Sequence, residues 1–227
     1  MHVEIWSDIA CPWCYVGKRR FEAALADYEH RDEVTVTWRS FELDPTAPPV
    51  REEDAATHIA QKYGTTPEKA REMQRGLTET AAADGLAFRL DLAKLGNTFD
   101  AHRLVHLGAS LGLQDQVEER FMRAYQVEGE AIGERETLER LAIDAGLPAD
   151  EVRDVLLTER YAEDVRDDER TAEQLGVRGV PFFVVDRAVA VSGAQPPEVL
   201  RQLLEQARPA PAVAVVAEGD ACGPDGC

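Results

Sequence analysis

An α/β fold interrupted by a large all-helical insertion is what this 227-residue sequence predicts. Three observations carry that prediction. A strand–helix–strand pattern fills the first 41 residues, and a strand–strand–helix pattern runs from Pro181 to Ala207. Between them lie roughly 120 residues of helical periodicity with almost no strand signal. With 44% hydrophobic residues the chain can bury a real core, so a wholly disordered protein is excluded.

Val3 and Ile5 open the chain as a short buried strand. Cys11 to Ala24 reads as a helix with Pro12 in its first turn, where a missing N–H and a fixed φ cost nothing. Val34 to Phe41 alternates apolar and polar side chains and reads as a second strand. Asp44-Pro45 and Pro48-Pro49 break that pattern, and helices follow from Glu52 to about Leu175. Within the helical stretch, Gly64-Thr65-Thr66-Pro67 reads as a loop and cap. Gly112 and Gly133 read as helix stops, and Leu147-Pro148 with Asp150 parts two further helices. Strand character returns at Pro181 to Val185, Asp186-Arg187 turns the chain, and Ala188 to Val191 pairs back as a hairpin. Pro196-Pro197-Glu198 starts a last helix with Leu200, Leu203 and Leu204 at core spacing. The expected domains are therefore an α/β domain in two parts, 1–48 and 177–207, a helical insertion at 49–176, and a Gly/Pro-rich tail at 208–227.

A formal charge of −18 repels phosphate backbones and anionic lipid, which argues against nucleic acid or a membrane surface as partner. No apolar run approaches the 18 residues or so that a spanning helix needs. The first strand begins by residue 3, leaving no room for a signal peptide, so the cytoplasm is the expected location. The four cysteines, Cys11, Cys14, Cys222 and Cys227, are too few for a disulfide-built scaffold.

Cys11-Pro12-Trp13-Cys14 leaves a strand and opens a helix, the sequence signal of a thioredoxin-type redox centre. At the positive end of a helix, unpaired N–H groups and the macrodipole favour thiolate over thiol. Cys11 is the expected nucleophile and Cys14, a turn further in, the resolving thiol. Two bland readings compete: half a zinc site, which needs a second ligand pair, and a structural disulfide, which a reducing compartment disfavours. Trp13, between the thiols, is either a surface aromatic or a substrate contact. Asp8, three residues before Cys11, either handles protons or caps the helix. His102 and His106 share one helix face at a spacing that can bind metal, yet no third ligand is visible, so no metal site is assigned.

Four stretches are similar to the FrnE subfamily of DsbA-like thiol–disulfide oxidoreductases. They are Ser7-Asp8-Ile9-Ala10-Cys11-Pro12-Trp13-Cys14-Tyr15-Val16-Gly17, Asn97-Thr98-Phe99-Asp100-Ala101-His102-Arg103-Leu104, Gly179-Val180-Pro181-Phe182-Phe183 and Ser192-Gly193-Ala194-Gln195. The resemblance spans about residues 2–207 and implies a thioredoxin fold interrupted by a helical domain. It implies disulfide or thiol substrates, protein or small molecule, and no cofactor beyond the redox-active disulfide, with glutathione a candidate cosubstrate. It also implies that Pro181 is cis and faces the two cysteines, with Val180 and Pro181 contacting substrate, and that His102 lines the substrate cleft. Relatives with serine at the first cysteine position are glutathione-dependent isomerases or transferases of small aromatic molecules. That is the alternative activity, and the presence of both Cys11 and Cys14 argues against it.

Cys222 and Cys227 are a candidate second redox pair. Arg208 to Cys222 is 14 residue steps, which at about 3.3 Å each reach roughly 46 Å, enough to bring the pair to Cys11. A tail disulfide, or a zinc clip joining both cysteine pairs, are the other readings of the same spacing.

Overall fold

The computed structural model describes residues 1–207; the Cys222 and Cys227 pair lies outside the described residues. Four strands form one mixed sheet in the order β2-β1-β3-β4. β1 (His2–Ser7) is central. β2 (Thr35–Ser40) runs parallel to it, with Ile5 opposite Trp38. β3 (Phe182–Val185) runs antiparallel to β1, with Ile5 opposite Phe183, and β4 (Val189–Ser192) closes the hairpin. The parallel pair needs a crossover, and α1 (Pro12–Ala26) provides it. Asp186 and Arg187, both at positive φ, turn the chain, and Val185 pairs with Val189 across the loop 186–188.

Both faces of β1 are covered, so its residues are buried on either side of the pleat. Val3 and Ile5 join Phe183 and Val185 in the core with Phe21 of α1 and Leu200 and Leu204 of the last helix. Trp6 and Val184 point the other way, onto Ala172 and Val177.

Between β2 and β3 the described chain is helical, as the periodicity predicted: α2 (Ala55–Tyr63), α3 (Pro67–Ala83), α4 (Phe99–Ser110), α5 (Gln114–Arg123), α6 (Arg135–Asp144), α7 (Ala149–Leu157) and α8 (Ala162–Gln174). α9 (Pro197–Ala207) ends the described chain. The predicted punctuation holds at three sites, one of them Pro148, which is the N-cap of α7 and parts it from α6. Gly64 leaves α2 in the left-handed region, and the Thr66 side chain caps α3 by accepting from Lys69 N. Gly112, with φ +73°, follows α4.

Gly133 corrects an expectation. It ends no helix; a Cβ there would stand 1.7 Å from the Pro49 carbonyl oxygen. Its glycine is needed for close backbone approach, where the chain entering the helical stretch presses against the loop before α6. α8 is latched to the sheet by buried polar groups. Trp6 Nε1 donates to the Asp168 carbonyl at 2.9 Å, while the Asp168 carboxylate accepts from Ser40 N at 2.9 Å and pairs with Arg39 at 3.0 Å.

Replacing Gly133 by Ala is expected to cost about 3 kcal/mol in urea unfolding, because backbone rather than a movable side chain blocks the new methyl. Gly76, inside α3 with open space around it, makes the contrast: Gly76→Ala should stabilise by about 0.5–1 kcal/mol. Equal effects at the two positions would contradict this packing.

Candidate active site

Cys11 ends the turn that leaves β1, and its backbone N–H is held by the Asp8 carbonyl at 3.0 Å. It is the N-cap of α1, with φ −84° and ψ 111°, and no side chain caps the helix in its place. Pro12 takes the first helical position. Cys11 is 5% exposed, and its thiol donates to the Val180 carbonyl at 3.6 Å. The Val180–Pro181 peptide is cis, as the resemblance implied. Pro181 rests on α1 where Gly17 leaves room; a Cβ on residue 17 would lie 2.8 Å from Pro181 Cγ.

Cys14 is fully buried. Burial pushes its thiol well above the usual range, and the hydrogen bond and charge of Cys11 push it further. The Asp8 backbone and the Ser7 hydroxyl act in the opposite sense.

Beside Cys11 lies a cavity of about 630 Å³. Cys11, Trp13 and Val180 line one side, and Ile59 of α2 with Met73 and Leu77 of α3 line the other. The helical stretch therefore roofs the cysteine turn. Trp13 is 43% exposed, and Leu43, Tyr63 and Met73, also exposed, border the same space. Large apolar side chains left in water around one opening mark a surface suited to apolar ligands. Arg51, His58 and Lys62 add cationic groups to the lining.

His102 departs from its expected place, and Asp8 from one of its two expected roles, the helix cap. Asp8 is no cap for α1. Its Oδ1 accepts from Ala10 N at 3.2 Å and its Oδ2 from Leu43 N at 2.7 Å. His102 does not line the cavity; it is buried in α4 with Nε2 3.5 Å from Asp8 Oδ1. Burial pulls the His102 imidazole down, but Asp8, Glu118 and Glu42 together outweigh it and raise it above its ordinary value. His106 pairs with Asp168 at 3.1 Å instead of sharing a ligand with His102. Among the described residues no group of three or more His, Cys, Asp or Glu side chains could hold a metal ion. No helix there is long and apolar enough to cross a membrane.

Sequence reasoning missed Glu118. It is 1% exposed on α5 and accepts from the Ser7 hydroxyl at 3.0 Å. Burial pushes its carboxyl up to about 7, against the opposing pull of His102, Ser7 and Lys18. The signal was present: Val117, Phe121 and Met122 form the buried stripe of α5, and Glu118 falls inside it.

Residues 2–205 match the DSBA-like thioredoxin domain family. A probable DsbA oxidoreductase from Streptomyces coelicolor is 49% identical, with a TM-score of 0.89, covering 100% of this chain and 98% of that one. The cytosolic disulfide reductase DsbM from Pseudomonas aeruginosa, in its structure with GSH, shares the fold at 21% identity and a TM-score of 0.62, over 91% of this chain and 98% of that one. An uncharacterised Bacillus subtilis protein, YwbO, is 25% identical over 206 residues, 90% of this chain and 96% of its own.

Two outcomes follow from this geometry. Iodoacetamide at neutral pH should label Cys11 well before Cys14, whose thiol is buried and hard to ionise; mass spectrometry of the labelled peptide reads the order. Glu118 also links stability to pH. Its folded value of about 7 lies above the ordinary carboxyl value of 4.5, so the folded state holds the extra proton between them and stability falls as pH rises through that window. His102, also raised, loses its stabilising proton over the pH range above about 6.5, so both groups act in the same direction. Glu118→Gln should remove about 2–3 kcal/mol of that fall. An unchanged slope between pH 5 and 7 in urea titrations would contradict the burial of a titrating carboxyl.

Proposed function

The chain belongs to the DSBA-like thioredoxin domain family, a family of thiol–disulfide oxidoreductases, and from that premise we propose that Cys11 and Cys14 form its exchange centre. The observation that carries this is the junction of Cys11, the Val180–Pro181 loop and the cavity at one helix N-terminus. Cys11 attacks a substrate disulfide as thiolate, giving a mixed disulfide and releasing one substrate thiol. Cys14 then attacks Cys11 Sγ, the second substrate thiol leaves, and the Cys11–Cys14 disulfide has taken up the oxidising equivalent. Run backwards, the same steps oxidise a dithiol.

Substrates are disulfides or thiols, from small molecules or protein segments thin enough to pass beneath α2 and α3. Trp13 and the Val180–Pro181 loop contact them at the opening, and the helical segment 49–176 acts as the selecting domain on the redox domain formed by 1–48 and 177–207. Arg51 and Lys62 suit the carboxylates of glutathione as cosubstrate. The cytoplasm is the proposed location. The apolar lining, with Tyr63, Met73 and Leu90, is what favours the second reading, a glutathione-dependent isomerase or transferase of an aromatic or polyketide-like molecule. Cys222 and Cys227 would serve as a second redox pair exchanging with Cys11 and Cys14. Truncation after Ala207 should slow recycling of the pair while sparing its first turnover.

Insulin reduction tests the centre itself. Cys11→Ser should lower turnover at least 100-fold, and Cys14→Ser should accumulate a mixed disulfide detectable by mass. Wild-type turnover in Cys11→Ser would overturn the reading. Isomerisation or thioether formation that survives Cys14→Ser, with no disulfide turnover in the wild type, would favour the second.

A further inference from the structure

The cavity beside Cys11 has a buried polar wall that the exchange steps do not use. Asp8, Thr98, Tyr125 and Gln126 border the space and are at most 4% exposed, whereas Trp13, Tyr63 and Met73 border it from exposed positions. Tyr125 and Gln126 come from a π-helical turn, Ala124–Glu128, that continues α5. Such turns are rare and frequently mark functional sites. Gly129 closes the turn at φ +70°, where a Cβ would stand 2.6 Å from Leu92 Cβ.

Gln126 is fixed at both ends. Its backbone carbonyl accepts from Arg89 N at 2.8 Å, and its side-chain Nε2 donates to the Ile9 carbonyl at 3.2 Å. Exchanging the two ends of the side-chain amide would set oxygen against oxygen at Ile9, so Oε1 is the end left over. That atom is buried and has no hydrogen-bond partner. A buried acceptor left unpaired is costly, and the cavity borders this side chain.

The missing partner is therefore an N–H or O–H donor, and the neighbours narrow its charge. Asp8 is the one charged residue among the buried residues of the lining, and its two oxygens already accept from Ala10 N and Leu43 N. A ligand carboxylate at this wall would meet acceptors and no buried cation. An ammonium would bring three donors to a single open acceptor while losing its hydration. A neutral amide suits the wall better, because its N–H serves Oε1 and its carbonyl can accept from Tyr125. Burial, with the charge of Asp8, pushes the Tyr125 phenol up and keeps it a donor.

We propose that this wall binds an uncharged amide on the non-reacting end of a small thiol or disulfide, with Gln126 Oε1 accepting its N–H. This rests on the reading of Cys11 and Cys14 as the exchange pair and names the class of small substrate that the pair takes. Gln126 meets the ligand away from the reacting sulfurs, so it sets specificity and takes no part in the exchange itself. A site built around a hydrogen bond rejects the analogue that lacks the matching group, because its own buried polar atom is then left unpaired.

The test uses the full-length protein carrying Cys222→Ser and Cys227→Ser, so that only Cys11 and Cys14 report. The reduced protein is mixed with one small disulfide at a time. Cys11 and Cys14 are oxidised to their disulfide, and the reagent is reduced to two thiols, which mass spectrometry counts. 3,3′-Dithiodipropionamide is compared with the matching dimethyl ester, bis(N,N-dimethylamide) and diacid, and with cystamine. Each rate is divided by that of the same disulfide with dithiothreitol, which removes intrinsic reactivity. The amide should react about tenfold faster than the ester and the dimethylamide, which keep the carbonyl and lack the N–H. It should also outrun the diacid and cystamine. Gln126→Met should erase the ratio of amide to ester. If that variant does not fold, the dimethylamide decides the matter in the protein with Gln126 in place. An amide no faster than the ester and dimethylamide, a ratio that survives Gln126→Met, or a diacid or cystamine faster than the amide would overturn the subsite. A series in which no disulfide oxidises the pair would instead overturn the reading of Cys11 and Cys14.

Discussion

A single buried carboxylate at the end of β1 fixes the geometry on which the site depends. Asp8 leaves the sheet at the strand–helix turn, accepts from Ala10 N and Leu43 N, and faces His102 on α4. Its carbonyl holds the Cys11 N–H. One residue thus ties the cysteine turn, the segment leaving β2 and a helix of the inserted stretch to a common point. A buried charge is tolerated only when its partners satisfy it, so these segments cannot drift apart without orphaning Asp8.

That tie divides the site into two layers of opposite character. The roof, from α2 and α3, presents the apolar side chains Ile59, Met73 and Leu77, as suits a place where varied ligands enter. The floor, made of His102, Glu118, Ser7 and Glu42 with Asp8 at the cavity wall, is polar and buried. Arg166 pairs with Glu42 at 2.5 Å at the edge of this layer, and Arg39 bridges Glu4 and Asp168 beyond it. Cys11 belongs to the roofed side and Cys14 to the floor, so two thiols three residues apart sit in different electrostatic surroundings. Burial, with the hydrogen bond and charge of Cys11, pushes the Cys14 thiol up, which suits the order of attack proposed for the exchange.

The strands, the Cys11–Cys14 helix start and the all-helical middle were legible because each is written in local pattern: alternation, a proline in a first turn, a 3.6-residue repeat. The polar floor was not legible, because its members come from β1, the segment after β2, α4 and α5 and meet only through the fold. Asp8 reads locally as a helix cap or a proton-handling group, and tertiary contacts with Leu43 and His102 replace the cap. His102 reads as a cleft residue from its motif and proves to be buried behind Asp8. Gly133 reads as a stop because backbone proximity to Pro49 leaves no local mark. Glu118 and Lys18 are the exceptions, since a charged residue inside an otherwise buried helical stripe is itself a signal. Lys18 meets Asp115, Glu22 and Glu119, whereas Glu118 finds only a hydroxyl.

The central claim is that Cys11 and Cys14 interconvert between dithiol and disulfide. Equilibrating the protein in glutathione buffers of stepped ratio, quenching with acid and mapping the peptides tests it directly. The account predicts a Cys11–Cys14 bond whose population follows a two-electron transition, with a potential within the range of about −120 to −270 mV spanned by exchange proteins. A pair that stays reduced at every ratio, or that oxidises only to glutathione adducts or to other chains, would contradict it.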